Sequence, residues 1–179
     1  MPKIIPTSHR PAARTTARKA IQPAAKAPTT ARSAAAIATN FQQAFHADAM
    51  ECVRIVKLGV PATAVDVLAK RMVMSKEKLV AILGLARATV DRKARENKPL
   101  SADESSKVLG MARLLGQVQA MIEESGDPKG FNAAEWVARW LERPLPALGG
   151  QRPAELMDTP EGQRLVSQLV ARMQSGAYS

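Results

Sequence analysis

SKEKLVAILGLARATVDRKAREN, residues 75–97, holds two short helical segments separated by a glycine. Ser75 is suited to N-cap the first, Lys76 to Leu83, whose Leu79, Ile82 and Leu83 form an apolar stripe at helical spacing. Gly84 ends it, and after only Leu85 and Ala86 a second helix begins, from about Arg87 to Asn97. Two helices of this length joined by a glycine-containing turn are the helix-turn-helix pattern. At roughly 100° per residue, Thr89, Arg92, Lys93 and Glu96 share one face of the second helix. Val90 and Ala94 share another, suited to rest on the helix before it. A polar, largely cationic face after a tight turn fits the major groove of double-stranded DNA. Arg92 would be bidentate to guanine, and Thr89 would meet a thymine methyl or a phosphate. Arg87 at the start, with Arg95 and Lys98 at the end, would hold the sugar-phosphate backbone. The plainer alternative is a solvated, charge-rich face.

Reading outward, a first helix is expected over Phe41–Leu58, ended by Gly59, and Pro61 opens another through Val65, Val67 and Leu68 to Met72. Downstream of Pro99, Ser101 and Glu104 form a capping box. It opens the longest helix, to about Glu124, with Val108, Met111, Leu115, Val118 and Ile122 along one face. This is the expected spine of the molecule, and its stripe leaves self-association open. Ser125–Gly130 reads as a loop. Asn132 and Glu135 start a short helix bearing Trp136, Val137, Trp140 and Leu141, with the tryptophans read as core anchors or, alternatively, as an exposed hot spot. Arg143-Pro144-Leu145-Pro146 ends it.

Composition agrees with an all-α chain: aromatics are 3% of 179 residues and no sustained β-branched alternation occurs. The lone Cys52 gives no internal disulfide framework and is expected in a reducing cytoplasm. No apolar run approaches a membrane span, so no membrane partner is expected. The net charge of +10 is uneven. Residues 1–39 carry +7 with no acid, residues 70–98 carry +6, and residues 99–179 carry −2. A nucleic-acid contact therefore belongs in the first half and a protein contact in the second. Residues 1–40, rich in Ala, Thr, Pro and Arg, read as a disordered basic tail. It would serve as a solubilising extension, as a DNA-contacting arm, or as a transit peptide.

The last 32 residues, LGGQRPAELMDTPEGQRLVSQLVARMQSGAYS (148–179), supply a Gly-Gly turn, a short segment opened by Pro153, and a restart at Asp158-Thr159-Pro160-Glu161-Gly162. Thr159 is suited to N-cap the last helix and Pro160 to sit in its first turn. Leu165, Val166, Leu169, Val170 and Met173 recur at helical spacing, and Ser175-Gly176 reads as a C-cap before a short terminus. Without further information this is a helix completing a bundle.

The pattern LGG-x-x-P-x-x-x-x-D-T-x-x-G, an amphipathic helix and a terminal Gly-small-Tyr resembles the toxin-binding domain of Xre/MbcA/ParS antitoxins. The matching positions are Leu148, Gly149, Gly150, Pro153, Asp158, Thr159, Gly162 and Gly176. The resemblance reaches back to about Val60, where Ala86 stands in place of the Ser or Thr cap the family pattern carries. It implies an antitoxin that neutralises a RES-domain toxin acting on NAD and binds its own promoter as a homodimer on paired half-sites. The toxin-contacting set it implies comprises Leu148, Gly149, Gly150, Pro153, Thr159, Gly162 and Gly176 of the motif with Leu165, Leu169, Arg172, Met173, Tyr178 and Ser179. Tyr178 and Ser179 with the terminal carboxylate are expected to reach the toxin's active-site cleft.

Three regions are thus expected: a tail (1–40), a helix-turn-helix domain with its long helix (41–124) and a C-terminal toxin-binding module (125–179). No catalytic constellation emerges. His9 lies in the tail, His46 stands alone, and Cys52 has no His at metal or nucleophile spacing. Gly149-Gly150 lacks the lysine of a phosphate loop. No cofactor, metal or enzymatic activity is expected. The competing readings are a stand-alone transcriptional regulator whose C-terminal module dimerises or senses a ligand, and a pure inhibitor whose helix-turn-helix no longer reads DNA.

Overall fold

Most helices here are opened by a side chain that accepts a hydrogen bond from a free backbone amide, which is why their starts follow Asn, Asp, Ser and Thr. The computed structural model describes residues 36, 38–126 and 130–174. Asn40 caps α1 (Phe41–His46) and Asp48 caps α2 (Ala49–Leu58). α3 (Ala64–Arg71) follows Pro61, and Ser75 caps α4 (Lys76–Ile82). α5 (Arg87–Arg95) starts at Ala86 with no side-chain cap. The capping box of Ser101 and Glu104 opens α6 (Ala102–Glu124), and Asn132 caps α7 (Ala133–Trp140). Two 3-10 turns, Pro146–Leu148 and Pro153–Leu156, lead to α8 (Pro160–Gln174), whose Gly162 amide donates to the Thr159 hydroxyl at 3.1 Å. Among the described residues the fold is all-α, with one isolated bridge between Pro61 and Pro99.

The single first helix expected over 41–58 is two. Ala47 takes an extended conformation, and the Asp48 carboxylate, accepting from the Glu51 amide at 2.7 Å, restarts the chain as α2. Of the expected disordered tail, residues 1–35 and 37 lie outside the described residues, but its end is ordered: Ala36, Ala38 and Thr39 are helical, Ala38 is buried in the core and Asn40 caps α1. The terminus with Gly176, Tyr178 and Ser179 also lies outside the described residues, as do residues 127–129 of the expected loop.

α6 is the axis of the molecule. α1, α2, α3, α7 and α8 all rest against it, and one continuous apolar core runs from Ala38 to Val170. Val108, Met111, Leu115 and Val118 are buried within the monomer, so the stripe read as a seam for self-association is already covered; Ile122 lies at its half-exposed end. Buried Ser105 accepts from the Val60 amide at 2.9 Å and donates to the Leu100 carbonyl, tying the start of α6 to the segment before α3. Trp140 is buried and stacks on half-buried Trp136 at 5.7 Å, which places the pair largely in the core.

Glu104 also accepts a hydrogen bond from Lys93 of α5, linking the second helix of the helix-turn-helix to the axis. Burial pushes its carboxyl up, but the Lys93 ammonium and the Ser101 amide outweigh this and hold it below the ordinary glutamate value of 4.5. A folded-state value below the unfolded one contributes stability above the ordinary range, and that contribution disappears as pH falls through the folded value. Glu104→Gln should therefore cost about 1 kcal/mol at pH 7. The gap from the parent should close on acidification below 4.5, as read by urea denaturation across pH.

Candidate functional site

Two surfaces emerge. In the first, α4 and α5 are joined by Leu83–Ala86, with Gly84 at φ +59° and the Leu85 amide donating to the Val80 carbonyl at 2.9 Å. Val90 is fully buried and Ala94 half-buried, as the wheel predicts, so the opposite side of α5 faces out. Arg92 and Arg95 are exposed there, Lys98 lies just beyond, and Thr89 is half-buried at the edge.

The cations of this face are not equivalent. Arg92 lies 3.7 Å from Glu96 one turn on, and Lys98 lies 2.9 Å from the same carboxylate, whose pKa the Lys98 hydrogen bond lowers. Arg87 bridges Glu77 of α4 at 2.8 Å and Asp91 at 3.6 Å. Asp91 also takes Lys76 at 2.8 Å, and Lys76 reaches Asp66 of α3 at 2.9 Å, so one lysine clamps α3, α4 and α5 together. Burial lowers the Lys76 pKa, yet its hydrogen bonds to Asp91 and Asp66 more than reverse that and raise it. Lys93, expected beside Arg92, turns inward instead. Its side chain is 17% exposed and engaged by the Glu104 carboxylate at the start of α6.

The second surface is the C-terminal module. Gly149 and Gly150 adopt φ of +65° and +87°, a region side chains other than glycine's enter at a cost. They let the chain double back, so that the Leu145 amide donates to the Gln151 carbonyl and the Gly150 amide to the Leu145 carbonyl. Half-buried Leu148 rests on the core, and Pro153 is buried. Gly162 is buried against the Leu156 carbonyl oxygen, a position that a methyl group would overlap. The glycines and Pro153 thus shape the module, with Thr159 capping its last helix; Pro153 and Gly162 are buried, whereas Gly149, Gly150 and Thr159 are exposed.

α8 divides the apolar residues that the sequence placed together. Val166, Leu169 and Val170 are buried, whereas Leu165 is 40% and Met173 38% exposed. Leu165 lies about 100° around the helix from Val166, off the buried arc. Met173 shares that arc but sits near the helix end. Leu165 and exposed Arg172 thus lie on the outward side of the helix, and Met173 adds an exposed apolar residue at its end.

The sequence pattern did not single out the polar latch under α8. Gln117 of α6 donates to the Ser167 carbonyl at 3.0 Å and accepts from the Ser167 hydroxyl at 2.6 Å. Gln163 donates to the Lys107 and Met157 carbonyls. Gln117 lies inside an apolar stretch of α6, and a buried glutamine there is the one signal that pointed to a partner. The two surfaces also touch: Asp158 packs on Gly84 of the turn, and Lys78 of α4 lies 3.4 Å from Glu142 beyond α7.

The geometry defines a helix-turn-helix unit followed by a small helical C-terminal module packed on the same long helix. Residues 53–113 match the antitoxin Xre-like helix-turn-helix domain, and residues 130–176 match the antitoxin Xre/MbcA/ParS C-terminal toxin-binding domain. A protein of Sphingobium sp. (strain YBL2), named Prs ADP-ribosylating antitoxin, is 41% identical over 139 residues, covering 78% of this chain and 87% of its own. An antitoxin Xre of Photorhabdus laumondii subsp. laumondii is 25% identical over 125 residues, covering 70% and 79% respectively. The antitoxin Xre of Yersinia enterocolitica is 22% identical over 124 residues, covering 69% and 78%. The chain belongs to the Xre family of antitoxins, with a helix-turn-helix and a toxin-binding domain. No helix among the described residues is long and apolar enough to cross a membrane.

Proposed function

We propose that this antitoxin binds a RES-domain toxin acting on NAD, covers its active site, and represses its own operon through α5 as a homodimer on paired half-sites. The observation that carries the toxin contact is the exposed apolar surface of α8, Leu165 on its outward side and Met173 at its end, on a helix locked to α6. An apolar pair on a pre-organised helix loses little entropy on binding. The relative's name couples an antitoxin with ADP-ribosylation, a transfer for which NAD is the donor, and the same chemistry is assigned here to the partner toxin. The test is purification of the chain with its RES-domain toxin and an assay of NAD loss. A stoichiometric complex that stops NAD consumption is expected; a toxin that consumes NAD at an unchanged rate refutes the reading.

For the DNA contact, the set is Arg92, Arg95 and Lys98, with Thr89 at the edge and Arg87 at the helix start; Lys93 is set aside by its bond to Glu104. Arg92→Ala should weaken binding to promoter DNA by about 1–3 kcal/mol and relax sequence preference. Lys93→Ala should instead lower thermal stability and leave the sequence preference intact. Fluorescence anisotropy and melting curves on both variants separate the two roles, and equal losses of DNA affinity would return Lys93 to the reading face.

A further inference from the structure

An open groove of about 750 Å3 runs between α2, α6 and α8. Leu109 and Leu114 lie almost fully buried at its base, and Val53 and Val56 of α2 form one wall, Val53 left 43% exposed. Lys57 of α2 and Arg113 of α6 stand on its rim. Both are exposed, and neither has a hydrogen bond or ion pair with any described residue. Arg164 adds a third cation, paired with Glu161 at 2.7 Å, and no carboxylate lines the groove among the described residues.

These charges select the occupant. The basic segment 1–39, at +7 with no acid, would bring like charge to like. A second copy docking by the same face would set Lys57 and Arg113 against their own counterparts, and like charges across an interface are costly. The surface suits an apolar segment that carries carboxylates. We propose that it seats such a segment of the toxin, a second contact apart from the outward face of α8. This rests on the antitoxin reading above. The apolar base supplies burial, while Lys57 and Arg113 steer the segment and set its register.

The experiment uses the full chain and its RES-domain toxin, titrated calorimetrically at low and at physiological salt. Because Lys57 and Arg113 are exposed and unpaired, the double variant Lys57→Glu with Arg113→Glu should melt with the parent. Its toxin affinity should fall by about tenfold at low salt, and the salt dependence should flatten. Val53→Asp, at an exposed wall position, should weaken binding without unfolding the chain. Tight parent binding that both variants leave unchanged overturns the proposal while leaving the antitoxin reading intact. A parent that binds no toxin removes that reading, and this contact with it. Two other results also overturn it: a double variant that alters only self-association in sedimentation, which assigns the groove to a second copy, or toxin affinity that rises when residues 1–35 are deleted, which assigns it to the tail.

Discussion

Gly162→Ala should destabilise the protein by about 3 kcal/mol and lower its melting temperature by roughly 6–12 °C. The first turn of α8 lies directly on the Leu156 carbonyl oxygen, and the added methyl would overlap that oxygen and come within 2.9 Å of the Leu156 Cβ. The obstacle is backbone, held in a 3-10 turn by Pro153, so it cannot swing aside as a long side chain would. Either that turn or the start of α8 must move. Met157, Val166, Leu169 and Val170 are all buried on the elements that would shift. Toxin neutralisation should weaken in parallel, because the proposed docking face rides on the same helix. Calorimetry of the variant decides the point, and an unchanged transition would show that the module relaxes around the methyl at no cost.

Leu165→Asp combined with Met173→Asp should have the opposite profile. Both side chains are more than a third exposed, so folding should change by less than about 1 kcal/mol. A charge in place of each apolar anchor should cost at least about 2 kcal/mol of binding, roughly 30-fold in Kd. Cells carrying the toxin should then lose protection while promoter binding persists. Leu169→Asp is the contrasting control, since it buries a carboxylate against α6 and should unfold the module. Full protection by the double variant would move the toxin contact away from the outward face of α8.

Local chemistry accounts for what was readable from the residues alone. Ser75, Ser101, Asn132 and Thr159 each cap a helix within three residues of themselves. A cap needs only its own turn, so the starts of α4, α6, α7 and α8 were legible. The same holds for Gly84 and for the inward Val90 and Ala94, which follow from one turn and one helix. The break at Ala47 was missed because Asp48 reads equally well as a polar residue on a continuous helix.

The residues in order are enough to specify an all-α chain with a helix-turn-helix, a motif-bearing terminal module and charge concentrated in its first half. Which side chains already have partners depends on packing in three dimensions. Lys93 and Arg92 are adjacent cations on one helix, yet Glu104, eleven residues from Lys93, claims one and leaves the other outside. Leu165 and Leu169 are both apolar and one turn apart, yet the position of α6 buries the second and bares the first. Helical periodicity places a side chain on an arc; which part of that arc is covered depends on a neighbour distant in the chain.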